Sequence, residues 1–131
     1  MKVCLDTNVV VSAVATRGLC GDLFQAILAE HELVLGETVL GELRTVLSRK
    51  MRVPRDTIHE LEAHLRGHVV KAAAKRRITG LDAADAAVVA EAVAGRADVL
   101  VSGDQHLLKL ADPPVEIVSP RGLWEAFRRA T

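Results

Sequence analysis

The chain has 131 residues, a length suited to one domain with one sizeable core. Half of it is hydrophobic, 50%, and 26% is charged, with 17 basic and 17 acidic residues that cancel; this is a globular composition, and it leaves nucleic-acid binding to local patches, because the molecule as a whole is not cationic. No run approaches the ~20 apolar residues of a membrane span, and the aromatic set of Phe24, Trp124 and Phe127 with no Tyr excludes a base-stacking platform for single strands.

Taken in chain order, Lys2–Leu5 reads as a strand. Asp6 and Asn8 interrupt the apolar stretch that a signal peptide needs, so a cytoplasmic protein without a membrane partner is expected. Cys4, inside that strand, is expected to be a small buried hydrophobe, and Cys4 with Cys20 offers no CxxC metal spacing. Residues 8–15 and the segment "GDLFQAILAEH" are expected helices, the second with Leu23, Phe24, Ile27 and Leu28 on one face. "ELVLG" is a strand ending at Gly36. "ETVLGELRTVLSRK" is a helix, with Val39, Leu40, Leu43, Val46 and Leu47 at three-to-four spacing. Pro54 suits the first turn of a helix over 55–66, with Asp56 near its positive end. "HVVKA" is a weak strand. "DAADAAVVAEAVAG" is a helix stopped by Gly95. "ADVLVSGD" and "VEIVS" are strands, and "PRGLWEAFRRA" is the last helix. Strands alternating with helices predict a mostly parallel sheet of about five strands in an α/β fold, with helices on both faces. In such sheets ligands sit beyond the carboxyl ends of the strands.

Acids stand at two of those ends. Asp6 follows the first strand; it either caps the next helix or holds a cation, and Thr7 and Asn8 beside it exceed what a cap needs. Asp104 repeats the pattern in "VLVSGDQHLL", after Ser102 and after Gly103, which permits a tight turn or a close ligand approach. In "LDAADAAVV", Asp82 makes a good N-cap. Asp85 at the third helical position suits the helix dipole, but its helix is apolar almost all round and hence largely buried, which favours a cation partner. Glu42 in "VLGELRTVL" reads either as a surface residue paired with Arg44 or Lys50, or as a further member of the set. Gly41 beside it costs about 1 kcal/mol of helix stability relative to Ala, which suggests a close approach there. Asp6, Glu42, Asp85 and Asp104 are thus candidates to converge at one rim of the sheet. Oxygen donors of this kind select Mg²⁺ or Mn²⁺ over zinc. Among the histidines, His106 is notable for lying two residues past Asp104.

The segments "VCLDTNVVVSA", "TVLGELRTVL", "LDAADAAVVAEAVAGRADVLVSGDQHLLKL" and "IVSPRGLWEAF" together resemble a PIN domain, and more narrowly the PIN-family toxins related to VapC of bacterial toxin-antitoxin systems. The resemblance runs over nearly the whole chain, so a single domain over 1–131 is expected. It implies a PIN-like sandwich of helices around a parallel sheet and metal-dependent RNA cleavage. It assigns Asp6, Glu42, Asp85 and Asp104 to the family's acidic quartet, which holds Mg²⁺ or Mn²⁺, and Asn8, Asp82 and Ser102 to supporting positions. His106 departs from the polar or acidic residue common at its place. Hydrolysis by a cation-activated water leaves 5′-phosphate ends. The family also implies a cognate antitoxin protein as partner, with homodimerisation common. RNA must approach an acidic rim, so basic residues should flank it: Arg49, Lys50, Arg52 and Arg55 in one stretch, and Lys71, Lys75, Arg76 and Arg77 in another, each read otherwise as a solvated face. Two alternatives stand beside this reading. One is a catalytically inactive PIN-like RNA-binding or scaffold protein whose acids are caps. The other is a metal-dependent phosphatase on a similar sheet, against which Asn8 stands where that chemistry wants a second Asp.

Overall fold

A computed structural model describes residues 1–70 and 77–130 of the chain. The elements in order are β1 (Lys2–Leu5), α1 (Thr7–Ala15), α2 (Leu19–Glu30), β2 (Glu32–Gly36), α3 (Glu37–Thr45), α4 (Arg55–Leu65), β3 (Val69–Val70), α5 (Ala83–Ala94), β4 (Val99–Val101), α6 (Gln105–Leu108), β5 (Glu116–Val118) and α7 (Pro120–Arg129). All strands run parallel in the order β3-β2-β1-β4-β5. Four of them form the body of the sheet, and the two-residue β3 extends it beyond β2.

The sheet is parallel because every pair of neighbouring strands is separated in sequence by at least one helix, and a crossover returns the chain in the same direction. Its strands are short and buried on both faces: Val3, Cys4 and Leu5, then Leu33, Val34 and Leu35, then Val99, Leu100 and Val101. Consecutive buried residues point to opposite faces, so helices must cover both. α2 packs with α7, α3 packs with α5, and α2, α3 and α5 all reach β2. The core between them is aliphatic, with Leu23, Ile27, Leu40, Leu43, Leu107 and Leu123 buried. Each such side chain is worth about 1.5–3 kcal/mol when fully removed from water. The few aromatics flank this core instead of filling it: Phe24, Trp124 and Phe127 are partly buried against it, and Phe127 stacks on His31 with ring centres 4.3 Å apart.

Several boundaries differ from the sequence expectation. The helix expected over 37–50 is α-helical only to Thr45, and then widens into a π-helical turn, Val46–Lys50, in which the Met51 amide reaches back to the Val46 carbonyl at 3.1 Å. Arg52, with φ of 52°, then reverses the chain, and Val53 N–H closes on Leu47 O at 2.9 Å. Pro54 precedes α4 as its N-cap residue and does not lie inside the first turn. The weak strand "HVVKA" reduces to Val69–Val70, with its last two residues outside the described ones.

From β1, the chain moves outward to β2 and β3 on one side and later returns to add β4 and β5 on the other. The reversal of strand order falls between β1 and β4. In open parallel sheets that switch point leaves a crevice beyond the carboxyl ends of the strands. Asp6 and the segment Ser102–Asp104 follow those two strands.

Candidate active site

Register brings the first two acids together. Leu5 pairs with Val101 across β1 and β4, and the Asp6 amide donates to Val101 O at 2.9 Å, so the polar residues after each strand meet. Ser102 Oγ donates to Asp6 Oδ2 at 2.7 Å, and the Asp104 amide donates to Ser102 Oγ at 3.0 Å. The other oxygen of Asp6 accepts the Thr7 amide at 2.8 Å. Asp6, Thr7 and Ser102 are buried, Ser102 fully. A buried polar group is costly unless bonded, and here both oxygens of Asp6 have donors. Asp6 is therefore the N-cap of α1 and also a rim residue; the two sequence readings of it are compatible.

The remaining acids arrive on helices. Glu42 is carried by α3, and its Oε1 accepts the Thr7 hydroxyl at 3.1 Å. Thr7 thereby links the neighbour of Asp6 to Glu42, which is 35 residues away. The expected pairing of Glu42 with Arg44 or Lys50 is not what forms: Arg44 turns to Glu62 of α4 in a two-bond ion pair of 2.5 and 3.0 Å. Asp82 caps α5 by accepting the Asp85 amide at 2.8 Å, which fixes the backbone at Asp85. Asp104 caps the short α6 by accepting the His106 amide at 2.8 Å, with the His106 ring Nδ1 3.2 Å from the same oxygen. Asn8, the third polar residue after β1, is exposed.

The carboxylates feel one another. Partial desolvation pushes the Glu42 carboxyl above its ordinary pKa; the Thr7 hydroxyl opposes this, and the charges of Asp6, Asp85 and Asp82 add to it. Asp85 is likewise raised, first by desolvation and then by Asp82, Asp104 and Asp6, against a smaller opposing effect of His106. Cys4, behind Asp6 in β1, is pushed up to about 12 by burial, then by Glu91 and Asp6; it remains a thiol and a packing residue, as expected. Among the described residues, no three His, Cys, Asp or Glu side chains stand together as a ready metal-ligating group. Three of the acids accept from neighbouring groups: Asp6 from Thr7 and Ser102, Glu42 from Thr7, and Asp104 from the His106 amide. The donor chemistry, carboxylates with adjoining hydroxyls, suits a hard cation.

Of the basic residues, Arg49 and Lys50 lie on the π-helical turn, Arg52 at the reversal after it and Arg77 before α5, and all four are exposed. Arg49 and Lys50 follow Glu42 by about two helical turns, roughly 10 Å along the axis. Lys71, Lys75 and Arg76 lie outside the described residues. Gly41 and Gly103, for which close approaches were considered, face open space: an added Cβ would meet no atom within 4 Å at either.

Sequence reasoning passed over two residues. Thr7 was noted only as an extra polar neighbour of Asp6. Glu91 was not singled out, although a lone Glu in the otherwise apolar "AAVVAEAVA" is a signal in itself. It is only 2% exposed, and its Oε1 accepts the Thr38 amide at 2.7 Å.

Comparison with known proteins adds the following. A family profile described as PIN domain matches residues 2–106. No curated protein matches the chain. Among solved structures, VapBC2 from Rickettsia felis, bound to a DNA fragment from its promoter, is similar with a TM-score of 0.67 at 16% identity, over 91% of this chain and 98% of that one. FitAB bound to the IR36 DNA fragment gives 0.70 at 16% identity, over 90% and 94%. PAE2754 from Pyrobaculum aerophilum gives 0.63 at 17% identity, over 98% and 90%. At these identities the structural likeness is one of fold.

Proposed function

This chain belongs to the PIN domain family, and from that premise we propose that it is a metal-dependent endoribonuclease and the toxin of a toxin-antitoxin pair, acting in the cytoplasm as a single domain. The observation that carries this reading is the hydrogen-bonded chain at the switch point of the sheet that runs from Glu42 through Thr7 and Asp6 to Ser102 and Asp104, beside Asp85, whose carboxyl is pushed up by desolvation and by Asp82, Asp104 and Asp6. Like charges are gathered at a cost, and a divalent cation offsets it.

Asp6, Glu42, Asp85 and Asp104 would hold Mg²⁺ or Mn²⁺, with Asn8 and Asp82 in support. When bound, such an ion lowers the pKa of water and neutralises charge gathering on phosphate oxygens. The chain's own residues supply placement. Ser102 orients Asp6 and ties it to the backbone of Asp104. Thr7 steadies Glu42. Asp82 fixes the turn from which Asp85 projects. Arg49, Lys50, Arg52, Lys75, Arg76 and Arg77 would hold the RNA backbone as point charges, with recognition by charge and shape in the absence of stacking aromatics. A cognate antitoxin is the expected protein partner, consistent with the likeness to VapBC2 and FitAB, and a homodimer is the expected assembly.

The test is induced expression in cells followed by sequencing of RNA 5′-phosphate ends. The wild type should generate new 5′-phosphate ends and the Asp6→Asn variant should not. Identical end profiles for the two would remove the nuclease assignment. Absence of both Mn²⁺ uptake and cleavage would favour the inactive RNA-binding or scaffold reading, in which the acids are caps.

A further inference from the structure

Helix α5 is buried along most of its length by small and branched apolar residues, Ala86, Val88, Val89, Ala90 and Ala92. Glu91 lies among them. A carboxylate in such surroundings is unfavourable unless bonded, and Glu91 is bonded through one oxygen only. Oε1 accepts the Thr38 amide at 2.7 Å, while Oε2 is buried with no hydrogen-bond partner among the described residues.

The amide it takes belongs to the first turn of α3, where four N–H groups lack helical acceptors. The N-cap residue there is Gly36, which has no side chain to supply one. Glu91 does that work from another helix, and its negative charge suits the positive end of α3. The fit is close: a Cβ on Gly36 would lie 2.7 Å from the Cβ and Oε1 of Glu91. Only a glycine lets the end of β2 settle against this side chain.

The consequence reaches the rim. Glu42 lies one helical turn beyond Thr38 on α3, and Asp85 lies six residues before Glu91 on α5. The Glu91–Thr38 bond joins residues 53 apart in sequence, so packing, and not chain connectivity, sets the spacing of these two helices.

We propose that Glu91 is a positioning residue: with Gly36 it clamps the start of α3 to α5 and so sets the separation of Glu42 and Asp85. Its functional consequence rests on the reading of the rim as a divalent-cation site, and the experiment separates the two claims. Mn²⁺ is titrated calorimetrically into the full chain, with Asp6→Asn as the control for the site itself. Glu91→Gln keeps a carbonyl for the Thr38 amide and should stay within about threefold of wild type, whereas Glu91→Leu and Gly36→Ala should weaken Mn²⁺ by about 10–100-fold. In these two variants kcat on RNA should fall with KM little changed, and the Thr38 amide should exchange faster in Glu91→Leu. Folded Glu91→Leu and Gly36→Ala proteins with wild-type Mn²⁺ affinity would overturn the clamp. If Glu91→Leu does not fold, the other two decide: Gly36→Ala must weaken binding and Glu91→Gln must preserve it. If the wild type takes up no Mn²⁺, the cation reading fails and the clamp is judged alone. Loss of α3–α5 nuclear Overhauser contacts in Gly36→Ala would then sustain it, and their persistence would refute it.

Discussion

Asp6 accepts two hydrogen bonds in a buried setting, and Ser102 supplies one of them while accepting the amide of Asp104. Removing that hydroxyl leaves a carboxylate oxygen and an amide short of partners at once. Ser102→Ala should therefore destabilise the fold by about 1–3 kcal/mol, since a buried group left unbonded costs its desolvation. Urea denaturation at neutral pH would show a lower midpoint with an unchanged slope; an unchanged midpoint would mean that water replaces the hydroxyl at no cost. The same residue illustrates what a sequence conceals. Ser102 is visible as a small polar residue ending a strand, but its bond to Asp6 spans 96 positions and depends on β1 and β4 being neighbours. Glu91 shows the converse: its anomaly among apolar residues is legible, but its partner Thr38 is not.

At the scale of elements, the caps were readable and the helix contacts were not. Asp82 at the head of α5 and Gly95 at its end take the places that their chemistry suggests, because capping is local and depends on residues a turn apart. Asp104 and Asp6 also cap, and that local role had competed with the idea that they face a common rim. Glycine is more instructive. Gly36 and Gly41 lie five residues apart at and within the same helix, yet they face opposite circumstances: Gly36 is pressed against Glu91, while Gly41 faces open space. Ala at 41 removes backbone freedom from the unfolded chain and meets nothing in the folded one. Gly41→Ala should raise stability by about 0.5–1 kcal/mol, measured as an increase in thermal midpoint. A loss of stability there would imply a contact that the described structure does not contain.

At the scale of the molecule, the acidic rim makes stability depend on pH and on cations. Glu42 and Asp85 have folded pKa values raised above their ordinary ones of 4.5 and 3.8. Such acids favour the fold most below the unfolded pKa, and that contribution is lost as pH rises through the folded value. Glu42→Gln and Asp85→Asn should therefore gain on wild type, in metal-free buffer, as pH goes from about 4 to 7.5. Parallel stability curves for wild type and variants would contradict this. Divalent cations should act in the opposite sense: at 100 times the Kd, Mg²⁺ or Mn²⁺ would add about 2.7 kcal/mol, roughly 10 °C in Tm for a chain of this length, and Asp6→Asn should abolish the shift.

By itself the sequence determined the alternation of strands and helices, the parallel sheet that alternation demands, the caps, and the four acids worth watching, because each of these is written in residues within a few turns of one another. The tertiary structure decided the rest. Strand order made Asp6 and Ser102 neighbours, Thr7 at the head of α1 reached Glu42 of α3, and Glu91 met Thr38 across the contact of α3 with α5. All three are encounters between distant segments, fixed by which faces pack and in what register, and no local pattern of residue types encodes them.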